Sequence, residues 1–195
     1  RFLNPSYDNH LHDPFLLPDM VAAVSRTLQA IRAKERIAIW SDYDCDGIPG
    51  GALLKDFFTA IGYDNFVNYI PHRHDEGYGL NEAGLGELAR DSVALVITID
   101  CGIVDMKPAL AARELGLDLI NTDHHLPGEK LPEALAVVNP RRTDSRYPFA
   151  GLAGTGVAWK LVQALLTRGD FSLPKGAEKW WLDLVGLATI ADMMP

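Results

Sequence analysis

The stretch RIAIWSDYDCDG, residues 36–47, constrains the fold more than any other part of the chain. An apolar run typical of a buried strand ends abruptly in carboxylates at alternate positions, Asp42, Asp44 and Asp46. Carboxylates this close repel one another and are costly to keep ionised without a cation. The stretch therefore predicts either a solvated loop whose acids cap a helix, or a divalent-metal site at the tip of a strand.

Hydrophobic periodicity predicts an alternation of strands and helices after an irregular arm over residues 1–18. Strands are predicted at 36–41, 65–70, 92–99, 117–122 and 135–139. Helices are predicted at about 20–33 with Asp19 as its cap, 49–61, 81–90, 106–115, 154–168 and 178–190. This order predicts an α/β fold for residues 19–195, with a doubly wound, mostly parallel β-sheet flanked by helices.

Two further predicted strands also end in metal-type side chains. SVALVITI is followed by Asp100, and LDLINT is followed by Asp123, His124 and His125. Because ligands of such sheets bind beyond the carboxyl ends of the strands, we expect these groups and the Asp42 stretch to meet at one edge. The repetition favours the metal site over the solvated loop.

The donor set indicates the metal and the chemistry. Carboxylates with one or two imidazoles suit manganese or magnesium, and the number of carboxylates predicts two ions that share one of them. Paired ions of this kind usually serve the hydrolysis of a phosphoester or phosphoanhydride. The net charge of −8 argues against a generic electrostatic nucleic-acid binder but not against a metal-dependent nuclease.

Composition also limits location and partners. The longest apolar runs are too short to cross a membrane, so no membrane partner is expected. Cys45 and Cys101 do not resemble a secreted disulfide framework, and we expect both to be small filler residues under the site in a reducing cytoplasm.

Three other motif interpretations are weaker. An EF-hand calcium loop starting at Asp42 would need Glu at its twelfth position, where the chain has Leu53. A haloacid-dehalogenase-like phosphatase would make Asp44 a nucleophile but would leave the Asp-His-His run without a role, so it stays a minor alternative. The glycines of AGLAGTG lack the ending of a P-loop and favour close helix packing, with Gly154 or Thr155 near a substrate phosphate as the alternative.

Four ordered motifs together resemble the DHH phosphoesterase superfamily. They are Asp42-Tyr-Asp-Cys-Asp-Gly, Ile99-Asp-Cys-Gly, Thr122-Asp-His-His and Ala191-Asp-Met-Met-Pro. The segments PHRHDEGYGLN and VVNPRR…YPFAGLAGTGVAWKL are similar to its RecJ-like branch, the single-strand-specific 5′→3′ exonucleases. The resemblance implies release of 5′-mononucleotides from single-stranded DNA by metal-activated water, and replication or repair proteins as partners of a longer parent.

The resemblance also implies roles for individual residues. One manganese is expected at Asp42 and Asp44, and a second, with magnesium as a substitute, at Asp46, His124 and Asp192. Asp100 is expected to bridge both ions. The catalytic set implied is Asp44, Asp46, Asp100, Asp123, His124, His125 and Asp192. Within it Asp123 would hold a histidine and His125 would contact the scissile phosphate. Nucleic-acid contacts are expected at Arg73, Tyr78 and His125, with Gly154 and Thr155 near phosphate.

The chain departs from the family pattern in two places. Ile48-Pro49-Gly50 stands where the family commonly has Thr or Ser, and the sequence stops at the fourth motif. The DHH-associated domain is therefore expected to be absent, and the chain to bind manganese but to cleave long strands poorly. Alternative functions are a small-substrate phosphodiesterase acting on oligonucleotides or cyclic dinucleotides, and a non-catalytic replication scaffold, against which the intact acids argue.

Overall fold

The computed structural model describes residues 3–195 and has five strands and seven α-helices in that range. The strands are β1 Arg36–Ser41, β2 Phe66–Tyr69, β3 Val93–Ile99, β4 Asp118–Thr122 and β5 Ala136–Val138. The helices are α1 Tyr7–His10, α2 Met20–Ala33, α3 Gly47–Ala60, α4 Glu82–Arg90, α5 Met106–Glu114, α6 Gly154–Arg168 and α7 Leu182–Ala191. Short 3-10 helices span Pro14–Leu16 and Ala177–Trp181. Among the described helices, none has the length and apolar character needed to cross a lipid bilayer.

The five strands form one sheet in the order β2-β1-β3-β4-β5, and every pair is parallel. The predicted α/β class with a parallel sheet is therefore confirmed. The chain leaves β1 toward β2 on one side and returns to β3 on the other, so the topological switch lies between β1 and β3. In open α/β sheets, ligands bind in the crevice at this point.

Helices cover both faces of the sheet, and the alternation along β1 shows how. Ile37 and Ile39 face a core built with α2, α3 and α6, whereas Ala38 and Trp40 face a smaller core built with α4 and α5. All four side chains are fully buried. Burial on both faces explains why the strand is an unbroken apolar run and not an alternating one.

Two helix boundaries differ from the sequence prediction. Helix α3 begins at Gly47, ahead of Pro49, because the Asp44 side chain accepts the backbone N–H groups of Asp46 and Gly47, both at 2.9 Å. The helix predicted at 178–190 is interrupted: a 3-10 helix precedes α7. The Glu178 carbonyl accepts the indole N–H of Trp159 at 2.7 Å and is taken out of the α-helical ladder.

Asp19 does not cap α2 as predicted. Its φ is 55°, and its side chain makes no capping hydrogen bond. The carboxylate instead accepts the Val137 N–H at 3.1 Å and pairs with the Arg142 guanidinium, which joins the start of α2 to the end of the sheet.

Candidate metal centre

The parallel ladder continues one residue beyond three strands and aligns the acidic side chains. The backbone N–H of Asp42 donates to Ile99, that of Asp100 to Thr122, and that of Asp123 to Val138, at 3.2, 2.9 and 3.1 Å. Each aspartate is therefore held in register at the same edge of the sheet. Asp100 turns there with a φ of 62°, a left-handed conformation that Asp tolerates better than most residues.

One group of potential ligands consists of Asp42, Asp44 and Asp100. They offer oxygen atoms that all lie within 4.8 Å of one another. Asp42 is 1% exposed, yet neither of its carboxylate oxygens accepts a hydrogen bond from residues 3–195, and Oδ1 of Asp100 accepts none from them either. Buried carboxylate oxygens are normally satisfied, so these orphaned atoms fit a site that holds a cation.

A second group consists of Asp46, His124 and Asp192, again within 4.8 Å. The Nε2 atom of His124 lies 3.6 Å from Asp46 Oδ2, 3.6 Å from Asp192 Oδ2 and 3.1 Å from Asp100 Oδ1. Asp100 thus faces both groups. Asp192 directly follows α7, so its position depends on how that helix packs against α3 and α6.

The electrostatics of the cluster disfavour ionised carboxylates. Burial raises the pKa of Asp42 to about 6. Burial and the neighbouring charges of Asp46 and Asp44 raise the pKa of Asp100 far above the usual range. The pKa of Asp46 is also raised by burial, although backbone N–H groups of Thr155 and Gly154 oppose the shift. A divalent cation would reverse this balance, because it stabilises the charged form of every carboxylate it contacts.

The start of α6 holds Asp46 in place. Its carboxylate accepts the backbone N–H groups of Gly154 and Thr155, the latter at 2.7 Å, and the Thr155 hydroxyl donates to the Asp46 carbonyl. The expected contact of these amides with a substrate phosphate is not supported, because both already serve Asp46. The glycine is needed for close approach: a Cβ at position 154 would lie 2.6 Å from the Asp100 side chain.

Asp123 has a different environment from the other acids. Its Oδ1 accepts the N–H groups of His124 and His125 and lies 2.8 Å from His125 Nδ1, while Oδ2 accepts the Ile103 N–H. Burial alone would raise the pKa of Asp123, but these bonds lower it below its ordinary value. The same contact raises the pKa of His125. Asp123 therefore orients a half-exposed imidazole beside Asp100 and is itself fully hydrogen-bonded.

A loop after β2 lies over the centre and carries the predicted nucleic-acid residues. The Tyr78 hydroxyl donates to the Asp100 carbonyl at 2.8 Å and lies 3.4 Å from His125 Nδ1. The guanidinium of Arg73 stacks on the Tyr43 ring, 4.3 Å from its centroid.

Glu76 closes the turn that carries Arg73. Its carboxylate accepts the His72 backbone N–H at 2.7 Å, the Asn81 amide at 3.2 Å and the Tyr69 hydroxyl.

Sequence reasoning missed three side chains near the centre. Tyr43 lies inside the first motif, between two acids, and no role was predicted for it. No sequence pattern predicts a role for Glu76, because that role depends on its hydrogen bonds within the folded loop. Arg141 lines a cavity of about 400 Å³ together with His124 and His125. Its position three residues after β5, within the run Asn-Pro-Arg-Arg, was the available signal.

The model of the DHH family, N-terminal domain, matches residues 36–189. The chain belongs to the DHH family. The match spans all five strands and contains the proposed ligands up to His124, while Asp192 lies just beyond it. The resemblance inferred from the four motifs is therefore confirmed.

Relatives of this DHH chain are single-stranded-DNA-specific exonucleases named RecJ. The protein of Bacillus subtilis is 41% identical over 188 residues, which cover 96% of this chain and 23% of the relative. A crystal structure of exonuclease RecJ bound to manganese has a TM-score of 0.80 and 35% identity, and covers 92% of this chain and 44% of that one.

The RecJ of Thermus thermophilus in complex with Mn²⁺ has a TM-score of 0.76 and 32% identity, and covers 92% of this chain and 25% of that one. The chain thus spans less than half the length of each of these relatives.

Proposed function

We propose that this chain is the catalytic DHH core of a two-metal phosphodiesterase, a RecJ-type exonuclease that removes 5′-mononucleotides from single-stranded DNA in the 5′→3′ direction. The observation that carries the proposal is the convergence of two ligand groups at the switch point of the sheet, where Asp100 of the first group lies 3.1 Å from His124 of the second. The similarity to single-stranded-DNA-specific exonucleases supports the substrate.

Six residues would hold two manganese or magnesium ions: Asp42, Asp44, Asp46, Asp100, His124 and Asp192. The buried oxygens of Asp42 and Oδ1 of Asp100 fit this role, because none of them accepts a hydrogen bond from the described residues. When bound, paired divalent ions lower the pKa of water and offset the charge that develops on a phosphoryl group. The chain fixes the positions of these ligands: Asp46 is held by α6, and Asp42 and Asp100 are held by the sheet.

The remaining residues would position the substrate. His125, with its ring oriented by Asp123, is exposed enough to donate a proton to an oxygen of the scissile phosphate. Arg73 and Tyr78 extend from the loop over the centre, where they would contact the nucleic-acid backbone. The backbone N–H groups of Gly154 and Thr155 donate to Asp46, which supports a role in positioning this ligand over a contact with the phosphate.

The organisation we propose is an arm over residues 1–18 and a DHH domain over residues 19–195. The arm is tied to the domain by Lys160, whose ammonium donates to the His12 carbonyl at 2.7 Å. Both cysteines are free thiols, which is consistent with a cytoplasmic protein. A longer parent would meet replication or repair proteins through parts outside this chain.

A manganese-dependent assay on three substrates tests the proposal: a 5′-labelled single strand, a dinucleotide and a cyclic dinucleotide. We expect release of labelled mononucleotide from the single strand, faster from short than from long strands, and none from a duplex. Asp100→Asn should abolish release, while Asp56→Asn, which changes an exposed acid on α3, should leave it unchanged. Cleavage of the cyclic dinucleotide alone would replace this proposal with a small-substrate enzyme, and no hydrolysis despite manganese binding would replace it with a scaffold.

A further inference from the structure

A second cavity, of about 510 Å³, opens beside Asp44 and shares no residue with the cavity around His125 and Arg141. Besides Asp44 and Pro49, its lining consists of Tyr43, Cys45, Ile48, Arg73, Leu187 and Ala191. It therefore borders Asp44, a proposed metal ligand, and Arg73, a proposed contact of the nucleic-acid backbone, but its aliphatic side chains and Tyr43 have no role in the mechanism described above.

The two cavities differ in chemistry. Arg141 and His125 give the first one cationic groups suited to phosphate. The second is walled by aliphatic side chains and by the stacked pair of Tyr43 and Arg73. Ile48 and Leu187 there are 48% and 58% exposed, so apolar surface is left open to solvent within reach of an acidic centre.

Aromatic rings and guanidinium planes are the surfaces on which proteins stack nucleobases. A cavity of this volume lies within the range of ordinary small-molecule sites, large enough for one nucleoside but not for a folded strand. Because its walls are mostly apolar, they offer few groups that could read the edge of a base. The contact would accept any base and would favour purines through their larger stacking area.

We propose that this Tyr43 cleft binds the base of the nucleotide whose phosphate lies at the metal centre, with the base stacking on the face of the Tyr43 ring that Arg73 does not cover. The inference rests on the proposed function, because it takes the metal centre as the site of the phosphate. The sugar and phosphate would lie at the metal centre, which the cleft borders at Asp44. The contact with the base would therefore add affinity without taking part in the chemistry.

Three probes that share a phosphate test the cleft: deoxyadenosine 5′-monophosphate, thymidine 5′-monophosphate and 2-deoxyribose 5-phosphate. Binding is measured by calorimetry on the manganese-loaded protein. We expect both nucleotides to bind roughly 5–100-fold more tightly than the abasic sugar phosphate, with the purine ahead. Tyr43→Ala should bring the nucleotides to within about twofold of the sugar phosphate, while leaving the dissociation constants for the sugar phosphate and for manganese unchanged.

Matched variants separate stacking from damage to the fold. Tyr43→Phe should keep the preference for nucleotides, and Trp180→Ala, which removes an exposed aromatic ring outside the cleft, should have no effect. Leu187→Ala should weaken nucleotide binding without affecting the sugar phosphate, since this exposed side chain lines the cleft but not the core.

Equal binding of nucleotide and sugar phosphate by the wild-type protein would overturn the proposal, as would an equal loss of both in Tyr43→Ala. A protein that digests DNA but shows no contribution from the base would refute the cleft alone. A protein that prefers nucleotides through Tyr43 but hydrolyses no phosphodiester would refute the nuclease alone.

Discussion

Substitution of Gly154 by Ala should disturb the metal centre through a contact that lies outside the ligand set. The added Cβ would lie 2.6 Å from the Asp100 Cβ and Oδ1 atoms, about 1 Å closer than an ordinary contact between non-bonded atoms. The start of α6 cannot retreat freely, because Gly154 and Thr155 donate to Asp46. Asp100 must therefore move by about 1 Å, and a displacement of this size is expected to lower turnover about 100-fold.

Gly156→Ala is the matched control, because it makes the same change two residues further along α6. Its Cβ would lie 3.5 Å from the Leu152 side chain, which is ordinary contact. This variant should gain about 0.5–1 kcal/mol in stability from the better helix propensity of Ala and should keep normal activity. In Gly154→Ala, overpacking of about 1–3 kcal/mol should offset that gain.

The assays are manganese titration calorimetry, thermal unfolding and the nuclease assay on a short single strand. Gly154→Ala should bind manganese at least roughly tenfold more weakly than Gly156→Ala while both remain folded. If the two variants bind manganese and cleave DNA equally well, then the close approach of α6 to Asp100 does not position the shared carboxylate.

Three further changes probe separate features. The metal-free wild-type protein should lose stability as the pH rises from 3.8 to about 6, because Asp42 holds its proton longer in the folded than in the unfolded state. Asp42→Asn should remove this loss and should reduce the manganese-induced rise in Tm. An unchanged pH profile of stability would contradict this. Burial lowers the pKa of Lys160 to about 8, so the folded state loses this proton before the unfolded state does. The wild-type protein should therefore gain up to about 3 kcal/mol of stability as the pH rises from 8 to 10.5. Lys160→Met should abolish this gain, as measured by urea unfolding at several pH values. Glu76→Ala should weaken binding of a short single strand about tenfold and leave manganese affinity unchanged, because it releases the turn carrying Arg73; equal binding by the variant would remove Glu76 from this role.

The sequence was sufficient to predict the sheet, because its strands are nearly continuous apolar runs followed by polar residues. Strand β1 was predicted with the bounds it has, and the other strands within two residues. The meeting of the acids that follow β1, β3 and β4 could also be predicted, because the carboxyl ends of parallel strands lie at the same edge of a sheet. The role of Asp192 as a metal ligand could not be predicted from the residue pattern, because an acid at the end of a helix is common. It was proposed only because the fourth motif resembles that of the DHH superfamily.

The features that could not be predicted depend on packing between distant segments. The amides of Gly154 and Thr155 serve Asp46, more than a hundred residues earlier in the chain, and no local pattern signals that pairing. The prediction that both cysteines are filler residues was wrong for Cys45, which is exposed, and right for Cys101, which is buried. The neighbouring acids suggested burial, but the first motif turns outward at this position toward the Tyr43 cleft.

The central claim is that one carboxylate, Asp100, is shared by two divalent ions. Electron paramagnetic resonance of the manganese-loaded protein, combined with calorimetric stoichiometry, tests it directly. A shared Asp100 predicts two ions per chain with an exchange-coupled spectrum, and loss of that coupling in Asp100→Asn. A single ion per chain, or two uncoupled ions whose spectrum is the same in Asp100→Asn, would contradict it.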